Sequence, residues 1–154
     1  ILERINQNDN CTMFVVDEAH LLEPKTLTDL RVLISSIDEK LSLKILLCGQ
    51  EKLSHTLKRS SHADLLHRIN LQFCLRPMSR DKTCAYIDYR IKKADGQIKI
   101  FEPAAKDLIH DYTGGVPRQV NNVATACLLS AAARGVKIIT EALVNETMSE
   151  FHLP

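Results

Sequence analysis

The run Phe14-Val15-Val16-Asp17-Glu18 constrains the fold more than any other part of the sequence. Its apolar, β-forming residues predict a buried strand, and two acidic residues follow directly where that strand ends. In isolation, a strand that ends in a turn-forming or helix-capping Asp explains this pattern as well as a functional site does. The alternative is that the strand delivers the two carboxylates of Asp17 and Glu18 to a functional site at its carboxyl end.

Composition and charge exclude several broad classes of protein. The 154 residues are 45% hydrophobic, which is enough to bury the core of one domain or of two small ones. Lys and Arg number 20 against 19 Asp and Glu, so the formal charge of +1 gives no general nucleic-acid or membrane signature. Five scattered cysteines without C-x-x-C spacing argue against a disulfide framework or a zinc site and favour a reducing, cytoplasmic location. The sequence contains no signal peptide or membrane-spanning run and begins with Ile1 rather than Met, so we interpret it as a fragment.

Strands and helices alternate in the first half of the sequence. We expect strands over 12–16 and 43–48, a helix over 52–66, and a helix from Pro24 whose apolar face carries Leu27, Leu30, Ile34 and Ile37. Leu71, Phe73 and Leu75 alternate with polar residues and predict a third strand that ends before Pro77. This order predicts an α/β fold with a parallel sheet and right-handed crossovers.

The second half of the sequence predicts helices only. The first extends from Ser79 to about residue 94 and is closed by Gly96, and the second extends from Pro103 to Gly114-Gly115. A third helix follows Pro117, and Thr140 caps a fourth that extends to Phe151. We therefore expect two domains, an α/β domain over 1–77 and an all-α four-helix domain over 78–154.

Three further residues are candidates for a site that binds an anion. Gln50 follows the second strand and can bond a γ-phosphate or the attacking water, although it can equally begin a polar loop. Arg68 is either a surface residue that forms a salt bridge or a guanidinium presented to a neighbouring subunit's nucleotide. Arg118 lies in the first turn of a helix, where its charge opposes the macrodipole, so the position favours a bound anion over a plain helix corner.

The histidines are weaker candidates for catalysis. Asp17-Glu18-Ala19-His20 spells a helicase box, but the other helicase motifs are missing from the sequence. We expect His20 to be either a residue that supports the site or a surface residue. His62 and His67 are five residues apart, which does not suit metal chelation by one helix, and we expect both on the surface.

Taken in order, these motifs resemble those of the AAA+ ATPases. Phe14-Val15-Val16-Asp17-Glu18 is similar to the Walker B strand, and Gln50 lies at the sensor 1 position. Arg68 lies where the family's trans-acting arginine finger is usually found, and Gly115-Val116-Pro117-Arg118 is similar to the sensor 2 turn of the helical lid. Within this superfamily, the sequence is most similar to the ExeA-like and TniB-like transposition-helper branch. Four segments carry this similarity: Leu47-Cys48-Gly49-Gln50-Glu51-Lys52-Leu53, Leu75-Arg76-Pro77-Met78-Ser79, Tyr86-Ile87-Asp88-Tyr89-Arg90 and Gly115-Val116-Pro117-Arg118-Gln119-Val120-Asn121-Asn122.

The resemblance implies an ATP–Mg²⁺ site in a homo-oligomer. Asp17 would help to fix the metal, usually through a water, and Glu18 would position the attacking water. Gln50 and Arg118 would contact the γ-phosphate, and Arg68 would complete the site of a neighbouring subunit. No G-x-x-x-x-G-K-[ST] phosphate loop occurs in the sequence, so we expect the chain alone to be unable to turn over ATP.

The resemblance also implies that elements preceding Ile1 are missing. The absent first strand would lie between the strand over 43–48 and the predicted strand at Leu71 to Leu75. Without it, we expect unpaired sheet edges and exposed apolar surface. We expect a fragment that rearranges, pairs with another copy, or has lost its N-terminal part before crystallisation.

Three cellular roles are considered, and the sequence favours the first of them. The first is a transposition helper that binds double-stranded DNA as an ATP-bound oligomer and recruits a transposase, which the small-residue helix over 124–133 slightly favours. The second is an ExeA-type secretion ATPase, and the third is a non-catalytic binding module derived from this family. Six basic residues could contact DNA, but Asp81 and Asp88 interrupt them and favour a solvated helix face. The six are Arg76, Arg80, Lys82, Arg90, Lys92 and Lys93.

Overall fold

The computed structural model describes residues 12–35 and 43–151. The chain divides into two compact units, which meet in the sequence between Phe73 and Cys74. Ile37, which the apolar pattern assigns to the first helix, lies outside the described residues. Within the part of the chain that is described, no helix combines the length and the hydrophobicity that crossing a membrane requires.

The first unit contains two strands and three α-helices among its described residues. In chain order they are β1 (Thr12–Val16), α1 (Pro24–Ser35), β2 (Leu43–Leu47), α2 (Glu51–Leu57) and α3 (Ala63–Leu66), with 3-10 turns at Ala19–Leu21 and Ser60–His62. The single helix predicted over 52–66 is therefore interrupted. Arg59 has extended backbone (φ −67°, ψ 145°), and the two serines that follow it favour turns over helix interiors because their hydroxyls compete for backbone groups.

Strands β1 and β2 form a parallel pair. Their register runs from Thr12 opposite Leu43 to Val16 opposite Leu47. The backbone pairing continues past both strands, because the Cys48 amide donates to the Val16 carbonyl (2.8 Å) and the Ala19 amide donates to the Cys48 carbonyl (2.8 Å). The segments that follow the two strands therefore leave the sheet side by side.

The third strand predicted at Leu71 to Leu75 is wrong, because residues 69–79 have no regular secondary structure. Leu71, Phe73 and Leu75 are 85%, 81% and 87% exposed. Alternation of apolar and polar residues does not form a strand without a neighbour to pair with, and among the described residues only β1 and β2 make a sheet. The prediction of exposed apolar surface is confirmed at these positions.

The expectation that β1 and β2 are buried strands is also wrong. Met13, Phe14 and Val15 of β1 are 59%, 43% and 53% exposed, and Leu46 of β2 is 47% exposed. Burial on both faces requires a layer of structure against each face of a sheet. Here Val16 and Leu47 pack onto the small core of the first unit.

That core is built mainly from helices. Five residues are buried in it, namely Ala19, Leu27, Leu53, Leu57 and Leu65. His62 is also buried, at 5% exposure, so the expectation of a surface position is wrong for this residue. It directly precedes α3 and lines a small cavity with Leu27 and Leu65, whereas His67 is exposed as expected.

The second unit forms the predicted four helices. These are α4 (Arg80–Lys93), α5 (Pro103–Thr113), α6 (Pro117–Ala133) and α7 (Glu141–Phe151). Proline occupies the first turn of α5 and α6, where its missing N–H has no partner to lose. The predicted cap of α7 is confirmed, because the Thr140 hydroxyl accepts the Leu143 amide at 3.3 Å. The predicted fold class, α/β followed by four helices, is thus confirmed.

A short backbone pairing ties the two loops of this helical unit together. The Ile139 amide donates to the Ile100 carbonyl (2.7 Å), and the Glu102 amide donates to the Ile139 carbonyl (3.0 Å). Phe101 and Ile139 are 2% and 0% exposed, so the pairing places two large apolar side chains in the core. The helices pack around them.

Candidate functional site

The two carboxylates follow β1 directly. The Asp17 side chain is exposed, and its Oδ1 accepts the Glu18 amide at 2.8 Å. Glu18 lies in the left-handed region (φ 51°, ψ 33°) with its side chain 61% exposed. A non-glycine residue in this region costs about 1 kcal/mol, and such strain is often retained where a side chain has a function.

Gln50 lies at the corresponding end of β2. It is exposed at the N-cap position of α2, and its carbonyl accepts the Leu53 amide at 2.9 Å. The preceding Gly49 permits a close approach to the end of β1, because a Cβ added there would lie 3.1 Å from the His20 backbone nitrogen. Since β1 and β2 are parallel, Asp17, Glu18 and Gln50 all lie at the carboxyl edge of the sheet.

His20 connects the two strand ends. Its side chain is only 7% exposed. Its Nδ1 lies 3.2 Å from Glu18 Oε2 and 3.4 Å from the Gln50 backbone nitrogen. The surface alternative expected for this histidine is therefore wrong. The sequence signal that could have found the contact is the Asp17-Glu18-Ala19-His20 tetrapeptide itself, since it places the ring one turn beyond the carboxylates.

Arg68 lies after α3 and is exposed, with its backbone amide donating to the Leu65 carbonyl at 3.0 Å. Within the described part of the chain, its guanidinium makes no hydrogen bond or ion pair. The structure therefore brings Glu18 and Gln50 together through His20 but does not join Arg68 to them.

Arg118 belongs to the second unit, in the first turn of α6. The turn before it is tightly constrained, because the Met78 amide donates to the Gly115 carbonyl at 2.9 Å. Gly115 has φ +74°, and a Cβ added to it would lie 2.0 Å from the Met78 carbonyl oxygen. The Arg118 side chain is exposed and has no hydrogen-bond or ion-pair partner among residues 12–35 and 43–151. A constrained turn thus presents a cation that no described residue neutralises.

Both the sequence and the structure of the chain are similar to those of known proteins. The chain is 35% identical over 125 residues to general secretion pathway protein A of Aeromonas hydrophila, a match that covers 80% of this chain and 23% of that protein. No protein-family model matches the chain. Thermotoga maritima RuvB, titled a Holliday junction branch migration motor, superposes with a TM-score of 0.75 at 17% identity over 99% of this chain and 48% of that one. A variant of the same protein gives a TM-score of 0.78 at 16% identity, with 99% of this chain and 48% of that one covered.

The resemblance to the ExeA-like AAA+ proteins is confirmed. The RuvB structures are less than 20% identical to this chain and therefore show the shared fold alone. The described residues correspond to the C-terminal part of that AAA+ fold. The chain spans about a quarter of the length of the secretion protein that it matches and about half of each RuvB chain.

The exposed carboxylates of Asp17 and Glu18 suit a magnesium ion that is held mainly by phosphate and water. Among the described residues, no three His, Cys, Asp or Glu side chains cluster into a ready-made metal site. Asp17 has one oxygen engaged by the Glu18 amide and its carboxylate exposed to solvent. Mg²⁺ typically binds one or two carboxylates, several waters and substrate phosphates, so a single exposed Asp fits this ion.

Proposed function

We propose that this chain supplies the second half of an AAA+ ATP-hydrolysis site. The observation that carries the proposal is the position of Asp17, Glu18 and Gln50 at one carboxyl edge of the parallel pair, with His20 between the last two. In open α/β sheets, ligands bind beyond the carboxyl ends of the strands. Two carboxylates and an amide at that edge have the chemistry needed to hold a metal and to orient a water.

Each residue has a distinct task in this proposal. Asp17 holds Mg²⁺, usually through a water, and Glu18 orients the attacking water. Gln50 and Arg118 contact the γ-phosphate from the sheet and from the lid. Mg²⁺, when bound, neutralises charge on the phosphate oxygens. In this proposal Arg68 acts on the nucleotide of a second subunit, as an arginine finger does. This role is consistent with its guanidinium having no partner among the described residues.

The proposed activity depends on a phosphate loop that these 154 residues do not contain. The proposal therefore assigns residues 1–77 to the AAA+ core and residues 78–154 to its lid, with the loop supplied by another segment. The length of the secretion protein, of which this chain spans 23%, is consistent with such a segment. ATP, Mg²⁺ and a homo-oligomer are the partners that the site requires.

We propose a secretion-pathway ATPase as the cellular role. The 35% identity to general secretion pathway protein A supports this choice over the others. The transposition role, with DNA and a transposase as partners, stays a prediction. Of the six basic residues that could contact DNA, Arg80 is already ion-paired with Asp111 and donates to the Asp107 carbonyl at 3.0 Å. A steep salt dependence of duplex DNA binding would support transposition instead.

The proposed hydrolysis site can be tested in a chimeric protein. The segment of the Aeromonas hydrophila protein that precedes the matched region is fused ahead of this chain, and phosphate release is measured at saturating ATP. Glu18→Gln should lower turnover at least about 100-fold, because the amide cannot accept a proton from water. Glu23→Gln, an exposed glutamate five residues later, is the matched control and should retain turnover. Undiminished turnover in Glu18→Gln would contradict the proposal.

Mixing of subunits tests the role of Arg68. If Arg68 acts on a neighbour, a mixture of Glu18→Gln and Arg68→Ala chimeras contains interfaces with both residues intact and regains activity. The double variant Glu18→Gln/Arg68→Ala should give no ATP turnover when it is mixed with either single variant, whatever the mixing ratio. Arg59→Ala is the matched control, since Arg59 is also an exposed arginine of the first unit. Failure of the mixture to exceed its two components would remove the finger role.

A further inference from the structure

The His20 ring has one nitrogen that faces two incompatible partners. Nδ1 lies 3.2 Å from Glu18 Oε2, which can only accept a hydrogen bond when ionised, and 3.4 Å from the Gln50 amide, which can only donate one. A contact with the carboxylate requires a hydrogen on Nδ1, whereas a contact with the amide requires a lone pair there. One tautomer therefore satisfies one partner at a time.

The backbone keeps His20 between these two partners. The Ala19 amide is bonded to the Cys48 carbonyl at 2.8 Å, and Gly49 lies so near that a Cβ added to it would be 3.1 Å from the His20 backbone nitrogen. The ring is 7% exposed, so water competes little for Nδ1. Whether Nδ1 carries a hydrogen then decides which of the two partners it binds.

We propose that His20 is a positioning residue that couples the carboxylate of Glu18 to the backbone of Gln50. In one tautomer Nδ1–H donates to Glu18 and holds its carboxylate at the end of β1. In the other tautomer Nδ1 accepts the Gln50 amide, and the carboxylate is released because two acceptors now face each other. No net proton is taken up or lost. A shift of Gln50 is in this way transmitted to the residue that orients water, an inference that rests on the proposed function of Glu18.

The coupling makes a prediction for the chain by itself, without nucleotide. In Glu18→Ala the acceptor is gone, so His20 should shift toward the Nε2–H tautomer and accept the Gln50 amide. Exchange of the Gln50 amide hydrogen should then slow about fivefold, the factor that corresponds to one ordinary hydrogen bond. Imidazole ¹⁵N chemical shifts report the tautomer, and amide exchange followed by NMR reports the Gln50 hydrogen.

The controls separate coupling from general stabilisation. Glu23→Ala also removes an exposed negative charge of the first unit and should leave both the His20 shifts and the Gln50 exchange rate unchanged. The amides of β2 should exchange at the same rate in Glu18→Ala and in the unaltered chain. An unchanged tautomer in Glu18→Ala would overturn the inference, and so would a tautomer shift that leaves Gln50 exchange unaffected.

Turnover of the chimera distinguishes this inference from the proposed function. His20→Ala should lower kcat about tenfold with KM nearly constant, because a misplaced water-orienting group costs rate more than binding. His20→Asn, whose amide nitrogen can donate from near the Nδ1 position, should recover part of that loss. If the tautomer shifts in Glu18→Ala but Glu18→Gln keeps full turnover, the proposed function alone is overturned. Loss of turnover in Glu18→Gln without a tautomer shift in Glu18→Ala would overturn the coupling alone.

Discussion

The two units differ in how completely each buries its own apolar side chains. In residues 74–151, a continuous cluster joins all four helices, and its largest member, Phe101, is 2% exposed. In the described residues of the first unit, the buried cluster is much smaller, and Met13, Val15 and Phe73 are all more than half exposed. Yet it is the first unit that carries the acidic pair and Gln50.

The difference indicates which unit can be stable without additional structure. Burial of apolar area is the dominant favourable term in folding, and the helical unit supplies it internally. Among its described residues, the α/β unit has exposed apolar side chains on its sheet and two strand edges without a neighbouring strand, which other chains or segments can cover. The acidic pair and Gln50 therefore lie in the unit that buries less of its own apolar surface among the described residues.

The largest effect on stability is expected when one phenylalanine in each unit is truncated to alanine. Phe101→Ala should lower the free energy of unfolding of the helical unit by about 3–5 kcal/mol, because it leaves a cavity in the core. Phe73→Ala should change it by less than about 0.5 kcal/mol, since that ring is 81% exposed. Urea titration monitored by circular dichroism measures both values. Equal losses would show that Phe73 is buried in solution and would contradict the exposed surface.

The next test concerns the turn that presents Arg118. Gly115→Ala should cost roughly 3 kcal/mol, because the new Cβ would meet the Met78 carbonyl in addition to the strain of a positive φ. Gly114→Ala should cost only about 1 kcal/mol, because its φ is also positive but nothing lies within 4 Å. Thermal unfolding of the two variants isolates the close approach. If the two losses are equal, the turn does not pack against Met78.

A pH titration tests burial in the helical unit by a different route. Burial raises the pKa of Cys127 from 9.0 to about 11, so the folded state keeps its proton after the unfolded state has lost it. Stability should therefore fall by roughly 1.4 kcal/mol for each pH unit between 9 and 11 on account of this thiol. The difference between the unaltered chain and Cys127→Ala gives this contribution. An identical pH slope in both would show that the thiol is hydrated.

The smallest expected effect is a gain in stability at the acidic pair. Glu18→Gly should stabilise the first unit by about 1 kcal/mol, because glycine adopts a positive φ without strain. Asp95→Gly in the second unit should give a smaller gain, since Asp tolerates the left-handed region better. Chemical denaturation measures both. A loss of stability in Glu18→Gly would mean that the contact with His20 outweighs the strain.

The parts of the fold that depend on local chemistry were predictable from the sequence. Pro103 and Pro117 marked helix starts, and Gly114 with φ 55° ends α5 as its sequence position indicated. The ends of β1 and β2, which precede Asp17 and Gln50, were also predictable, because each strand is an apolar run followed by polar residues. These features involve neighbours within a few residues of one another.

Pairing and burial were less predictable. The alternation at Leu71 to Leu75 suits a strand, but a strand forms only where another lies beside it, and none does among the described residues. The contact from His20 to the Gln50 backbone joins residues thirty positions apart. Its existence depends on the parallel register of β1 and β2 rather than on the composition of either segment.

The sequence by itself thus determined the order of β1, α1 and β2, the four-helix unit, and the positions of the acidic pair and of Gln50 after the two strands. It determined these because hydrophobic periodicity, proline, glycine and carboxylate chemistry act locally. Only the tertiary structure decided that the carboxylates and Gln50 share one sheet edge, that His20 is buried between them and that Leu71, Phe73 and Leu75 remain exposed. Those outcomes follow from which distant segments pair and which surfaces are covered, and no local pattern encodes that choice.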